Sequence, residues 1–471
     1  MDGSRFDLVV RGGTVVNADG PFKADIGIRA GTIASLTTPG TIGDAERVVS
    51  AEGRYVVPGG VDAHAHTALR SRETTSLDDF FQSTRAAAYG GTTTIVDFAV
   101  PFPRGAQTPL EAAASRAEEI LGRACVDVAL HAGATVVNEN TLKELAELIT
   151  KRGMPTVKIF TIYRDDLMLT LDEIFACLKT IAACDGIAMI HAESPHIVEP
   201  LAADLTAKGD TSPAAHARSR PNESEIDMVR SIIELLRLTG ARAWIAHVST
   251  AKAAIAIAEA QGQGVRVWSE TCPQYVFLDN SRYLGGNPEL YVCSPPLRDK
   301  ADRERLWELV ARGYISMWAS DHCCFDRQQK AAHREDFHRI PNGLPGVETR
   351  CPLLFSEGVS KGEISIADFV RLTSSNPAKF NGLFPAKGLI APGSDADLAI
   401  WDPTATRTLT AAGLHQGTDF TPFEGFKIAG WPGTVISRGK LVVDEGEFVG
   451  APGNGKLLTA GQPRPMGTGR R

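Results

Sequence analysis

The feature that most constrains this chain is a series of eight short apolar runs, each closing on or near a polar residue and separated by Ala/Leu/Glu-rich stretches of helical character. The runs are YVVPGGVD (55–62), TTTIVDF (92–98), VDVALH (126–131), TVKIF (156–160), IAMIH (187–191), ARAWIAH (241–247), VRVWSE (265–270) and YISMWASD (314–321). Short strands alternating with helices are the signature of parallel βα units. Eight such units predict an α/β fold of the (β/α)8 TIM-like barrel type, in which functional groups gather at the C-terminal ends of the strands.

The two ends of the chain read differently. Residues 6–58 carry β-branched runs punctuated by Gly12-Gly13, Asp19-Gly20 and Ala30-Gly31, and the same hairpin pattern returns in DADLAIWDP and GTVISRGKLVVDEGEFVG. Two separated β segments are able to complete one small domain beside the barrel. The segment from Ala451 is rich in Gly and Pro and is expected to lack regular structure of its own.

With 471 residues, 43% of them hydrophobic and 22% charged, the chain has the composition of a soluble globular enzyme. A formal charge of −7 leaves no electrostatic footprint for nucleic acid, and no basic cluster marks a membrane surface. Eight scattered cysteines without a C-x-x-C pair, and a charged N-terminal stretch without an apolar core, predict reduced thiols and a cytoplasmic location.

His64 and His66 in VDAHAH are two residues apart, so on an extended strand both imidazoles face one point, which suggests a metal. His191, His247 and Asp321 close three other runs at the same predicted rim. Imidazoles with a carboxylate are the ligands that zinc and similar ions prefer. Four imidazoles and one carboxylate exceed what a single catalytic zinc requires, so two ions are expected. Such a pair needs a bridging anion, and the candidate at the fourth strand end is Lys158. On the residues alone, Lys158 reads as a salt-bridge lysine, although a desolvated amine beside two cations has its pKa lowered and in its neutral form is able to add carbon dioxide and become an anionic carbamate.

The ordered set HAH, KIFTIY, HAE, HVS, ETCPQY, CSPPLR, SDHC and IPNGLPGVETR, followed by GSDADLAIWDP and FEGF, resembles the cyclic amidohydrolases, most closely the D-hydantoinases and dihydropyrimidinases. The resemblance spans nearly the whole chain. It implies a β-sandwich shared by residues 1–58 and 385–450, a barrel with a binuclear centre over 59–384, and an extended tail over 451–471. It also implies that His64, His66 and Asp321 hold one divalent ion and His191 and His247 the other. Carbamylated Lys158 and a hydroxide would bridge them, with zinc, manganese or cobalt as the metal. Tyr163 would then stabilise the oxyanion, Asp321 would carry the proton, and Ser294 and Asn342 would bind the imide edge of a small cyclic ureide, largely through main-chain groups. A homotetramer is the assembly the resemblance implies. Allantoinase and cyclic imide hydrolase share this chemistry, and a non-catalytic scaffold lacking the ligands is the distant alternative.

Two positions depart from the family pattern: Cys324 follows Cys323 where a small residue is usual, and H-A-H is followed by the polar loop TALRSRETT. Arg70 and Arg72 of that loop are expected to face solvent. Phe102, Leu167 and Met168 are expected to form the pocket wall, favouring an aryl or alkyl substituent. His131 is read as structural, and His322 as a support for the neighbouring ligands. GAPGNGKL resembles a phosphate-binding loop but lacks the Ser/Thr after its lysine.

Overall fold

The computed structural model describes residues 5–71 and 73–466. Eight parallel strands lie in sequential order in one sheet: Gly60–Asp62, Thr92–Ala99, Asp127–Gly133, Thr156–Phe160, Ile187–His191, Ala243–Ile245, Val267–Thr271 and Met317–Trp318. Beyond the eighth strand, His322–Cys323 pairs in parallel with Ala65–His66, which follows the first. The two edges of the sheet thus meet at the C-terminal rim and the barrel closes there.

Strand alternation decides which side chains reach the interior. In Ile187–His191, Ala188 and Ile190 pack outward with helix residues such as Ile174 and Leu178. Ile187 and Met189 point the other way, into a cluster with Trp244, Trp268 and Met317. His191 is the next residue on that inner face. Phe380 fills the barrel among these rings, edge-on to Trp244 at 5.8 Å and to Trp268 at 5.2 Å. The interior is therefore packed, and chemistry is left to the rim.

The first predicted run is divided between two sheets. Tyr55–Pro58 pairs with residues 398–401 and with Thr14 and Val15, and only Gly60–Asp62 enters the barrel. Gly59 permits the crossing, because a Cβ there would stand 2.1 Å from Thr93 Oγ1. The seven-stranded sheet that holds Tyr55–Pro58 interleaves both chain ends, and a four-stranded sheet holds Thr32–Thr37, Asp25–Arg29, Phe6–Arg11 and Ala45–Ser50. Leu8, Val10, Ile26 and Ile28 from the smaller sheet bury against Val15, Val56, Leu398, Ile400 and Ile436 from the larger. This is a β-sandwich built from both ends, as expected.

The tail is extended but anchored. Val128 donates to Lys456 O at 2.9 Å, Leu458 donates back to Val128 O at 2.8 Å, and Gly461 donates to Gly382 O at 2.8 Å. Residues 467–471 of the expected tail lie outside the described residues. No helix among the described residues is long and apolar enough to cross a membrane.

Candidate metal centre

His64, His66, Lys158, His191, His247 and Asp321 all line one cavity of about 1010 Å³ at the C-terminal rim, together with Tyr163, Ser294 and Asn342. The two histidines of HAH converge: their Nε2 atoms are 3.2 Å apart. Asp321 Oδ1 lies 3.0 Å from His64 Nε2 and 3.3 Å from His66 Nε2. His64, His247 and Asp321 each offer a ligand atom, and these atoms lie within 4.8 Å of one another. The His191 ring centroid is 4.5 Å from that of His247.

Three of these residues sit in left-handed backbone: Tyr163 at φ 70°, His247 at φ 35° and Asp321 at φ 49°. Each costs about 1–3 kcal/mol for a residue with a Cβ, a cost that folded proteins bear mainly at functional sites. The barrel strands themselves stop earlier, at Ile245 and Trp318. The turn beyond each strand, rather than the strand, aims His247 and Asp321 at the centre.

Buried carboxylates orient the imidazoles. Glu270 Oε1 accepts from His64 Nδ1 at 2.7 Å and from the His247 amide at 3.2 Å, while its other oxygen accepts from Trp244 Nε1 at 3.2 Å. Glu193 Oε2 accepts from His191 Nε2 at 2.7 Å and from Arg220 Nη1 at 2.7 Å. Burial alone would raise the Glu193 carboxyl, but Arg220 and His191 hold it well below the usual carboxylate range. His64 Nε2 and His191 Nδ1 are thereby left for the centre. His247 Nδ1 is buried without a hydrogen-bond partner, a deficit that a metal ion would remove. The donor set and this orphaned nitrogen fit a pair of divalent ions.

Lys158 is 1% exposed, its Nζ lying 3.5 Å from His64 Nε2 and 5.0 and 4.9 Å from the ring centroids of Phe98 and Phe160. Burial lowers the amine to about 8 against the opposing pull of Asp321 and Glu270. A neutral amine is accessible near physiological pH, which is the form that adds carbon dioxide. Burial pushes the Tyr163 phenol up to about 12, so it stays protonated and able to donate. Ser294 Oγ donates to Asn342 Oδ1 at 3.2 Å, linking the CSPPLR and IPNG loops.

Glu193, Glu270 and Arg220 have no role in the reading of the sequence, although the first two stand inside the motifs HAE and ETCPQY. A carboxylate two residues after His191, or at the end of a strand beside the histidines, is the signal that marks them. Arg220 lies in the loop after Pro213–Ser219 and carries no local signal.

His131 and Arg70 keep the structural and solvent-facing places expected of them, whereas Met168 does not line the pocket and His322 supports no metal-ligand candidate directly. His322 does not face the cavity: adjacent residues on a strand point to opposite sides, and its Nε2 bonds Asp78 at 2.9 Å while its Nδ1 accepts from Gly346 N at 3.1 Å. Cys324 is buried in the same cluster behind the rim. His131 has both nitrogens engaged, with Thr156 Oγ1 at 2.6 Å and Ala63 O at 2.9 Å. Met168 is not on the pocket wall, because a bridge to Phe160 turns it into the core; Phe102 and Leu167 line the cavity, joined by Leu69. The Arg70 side chain is 74% exposed and pairs with Glu119 at 3.3 Å, and Arg72 lies outside the described residues.

The model of the amidohydrolase family matches residues 55–442. The D-hydantoinase of Geobacillus stearothermophilus is 39% identical over 454 residues, covering 96% of each chain. The crystal structure of dihydropyrimidinase from Brevibacillus agri superposes with a TM-score of 0.94 at 37% identity, covering 97% of this chain and 99% of that one. The L-hydantoinase of Arthrobacter aurescens superposes with a TM-score of 0.88 at 29% identity, covering 96% and 100%. With the family model matched over residues 55–442 and D-hydantoinase relatives matched over nearly its full length, the chain belongs to the amidohydrolase family, among the relatives of the D-hydantoinases.

Proposed function

We propose that this enzyme hydrolyses the ring amide bond of hydantoins and dihydropyrimidines, releasing N-carbamoyl amino acids. The observation that carries the reading is the rim cluster itself: four histidines, Asp321 and a buried Lys158 around one cavity, with His247 Nδ1 left unpartnered. His64, His66 and Asp321 would hold one divalent ion, and His191 and His247 a second. Carbamylated Lys158 would bridge them, with zinc favoured and manganese or cobalt as substitutes. Such a pair would supply Lewis acidity and would lower the pKa of water from 15.7 toward about 7.

The chain's own groups do the rest. Tyr163, held neutral by burial, donates to the carbonyl oxygen as charge develops on it. Asp321 accepts a proton from the attacking water and returns it to the departing ring nitrogen. Ser294 and Asn342 hold the imide edge, and Leu69, Phe102 and Leu167 offer an apolar wall to the ring substituent. That wall favours 5-monosubstituted hydantoins with an aryl or alkyl group, such as phenylhydantoin, each buried methylene adding about 1–3 kcal/mol of discrimination, and the D-form is expected from the likeness to the D-hydantoinases. A cytoplasmic homotetramer accords with the family resemblance and with eight cysteines that form no disulfide.

The test is kcat/KM measured in parallel for D- and L-phenylhydantoin, dihydrouracil, allantoin and a cyclic imide. D-phenylhydantoin is expected to lead. A lead for dihydrouracil makes the enzyme a dihydropyrimidinase in function, whereas a lead for allantoin or the imide rejects the assignment of the apolar wall.

A further inference from the structure

Lys330 lies on the short helix Arg327–Ala331 and is 0% exposed. Lysines are rarely buried completely unless paired with a carboxylate. The partners here are of another kind: Nζ donates to Val292 O at 2.7 Å and to Pro341 O at 2.6 Å, and stands 5.7 Å from the centroid of the Phe325 ring. Val292 belongs to the segment that leads into Ser294, and Pro341 immediately precedes Asn342.

Two further bonds join the same segments. Val292 O also accepts from Gly343 N at 3.1 Å, and Ser294 Oγ donates to Asn342 Oδ1 at 3.2 Å. Gly343 has φ 142° and leaves no room for slippage on its other side, where a Cβ would meet Cys323 Cβ at 2.5 Å. Cys323 is two residues from Asp321. The loop that carries Asn342 is therefore wedged against the catalytic strand end on one side and drawn toward the Ser294 loop by Lys330 on the other. Burial lowers the Lys330 amine to about 8, yet both protonation states have the two N–H donors that two carbonyls require.

We propose that Lys330 is a positioning residue for substrate binding: by holding the Val292 and Pro341 carbonyls on one nitrogen, it sets the separation of the main-chain groups of Ser294 and Asn342 that receive the imide edge. This rests on the reading of Ser294 and Asn342 as the substrate-binding pair. Lys330 touches neither substrate nor metal ligands, so its loss should weaken substrate binding while leaving metal loading intact.

The experiment compares wild type with Lys330→Met, which keeps an unbranched apolar stem and removes the donors, and Lys330→Gln, whose amide, one atom shorter than the lysine, reaches one carbonyl. KM for a hydantoin, kcat, bound metal per subunit and the thermal midpoint are measured on each. For Lys330→Met the expected result is a KM raised at least ~10-fold, with kcat changed less and metal content unaltered. Lys330→Gln should fall between Met and wild type. If Lys330→Met does not fold, the Gln variant decides alone, with KM raised at least ~3-fold expected. A wild-type KM in either folded variant overturns the inference, even if the thermal midpoint falls. Wild-type enzyme inactive on every cyclic ureide overturns the functional reading itself, and this inference with it.

Discussion

Glu270 accepts from His64 through a 2.7 Å hydrogen bond between two fully buried side chains, and the same oxygen accepts from the His247 amide. One carboxylate therefore orients a residue assigned to each of the two proposed ions. Carboxylates behind histidine ligands set the tautomer and raise ligand basicity, and their loss costs about 10–100-fold in metal affinity. Glu270→Gln should lose metal in that range while keeping its secondary structure. Dialysis against a metal buffer followed by elemental analysis measures it, and unchanged affinity would leave Glu270 a purely structural group.

Activity should require both ions. Chelation is expected to abolish hydrolysis, and Zn²⁺, Mn²⁺ or Co²⁺ to restore it, with a plateau at two ions per subunit. Full turnover by demonstrably metal-free protein would remove the basis of the proposed chemistry.

Lys158 is tested through the bridge it is proposed to supply. Lys158→Ala should lose both metal and activity, because two cations close together lose the anion between them. Adding a short carboxylic acid should restore part of both by filling the gap. A variant that keeps two ions and normal turnover returns Lys158 to a structural role.

Asp321→Asn retains the shape but not the proton acceptor, so kcat should fall at least ~10²-fold. His322 is no substitute base: its Nε2 is tied to Asp78, and its ring lies on the far side of the strand from the cavity. Near-normal kcat in Asp321→Asn would move proton transfer elsewhere.

The centre was legible where chemistry follows the period of a strand. Lys158 and His191 occupy inner positions of Thr156–Phe160 and Ile187–His191, whereas HAH converges although the first barrel strand stops at Asp62 and His64 lies between it and the short strand Ala65–His66. His247 and Asp321 were found for a partly different reason from the one expected: the strands stop short of them, and left-handed turns complete the approach. Arg220 and Lys330 were not legible. Their meaning lies in partners distant in sequence, such as Glu193 for one and the carbonyls of Val292 and Pro341 for the other. Met168 misled because an apolar residue in a rim loop has the same local pattern whether it faces the pocket or the core.

Tyr163 combines left-handed backbone, a half-buried ring and a phenol pushed up to about 12. Burial disfavours the phenolate, so across the physiological range the group is a donor and not a base. Its proposed hydrogen bond strengthens only as the carbonyl oxygen gains charge, so its loss should appear in kcat more than in KM. Tyr163→Phe is expected to lower kcat by ~10²–10³-fold, the range for one oxyanion donor, without altering metal content. The same burial has a sign for stability: a folded-state pKa raised above the ordinary value of 10 contributes stability below pH 10 that is lost as pH rises toward about 12. In Tyr163→Phe that loss should disappear, so the variant should gain stability relative to wild type as pH rises above 10. Denaturant titrations at pH 8 and pH 11 check it. A kcat within about threefold of wild type would take Tyr163 out of the oxyanion site and leave its strained backbone without a catalytic purpose.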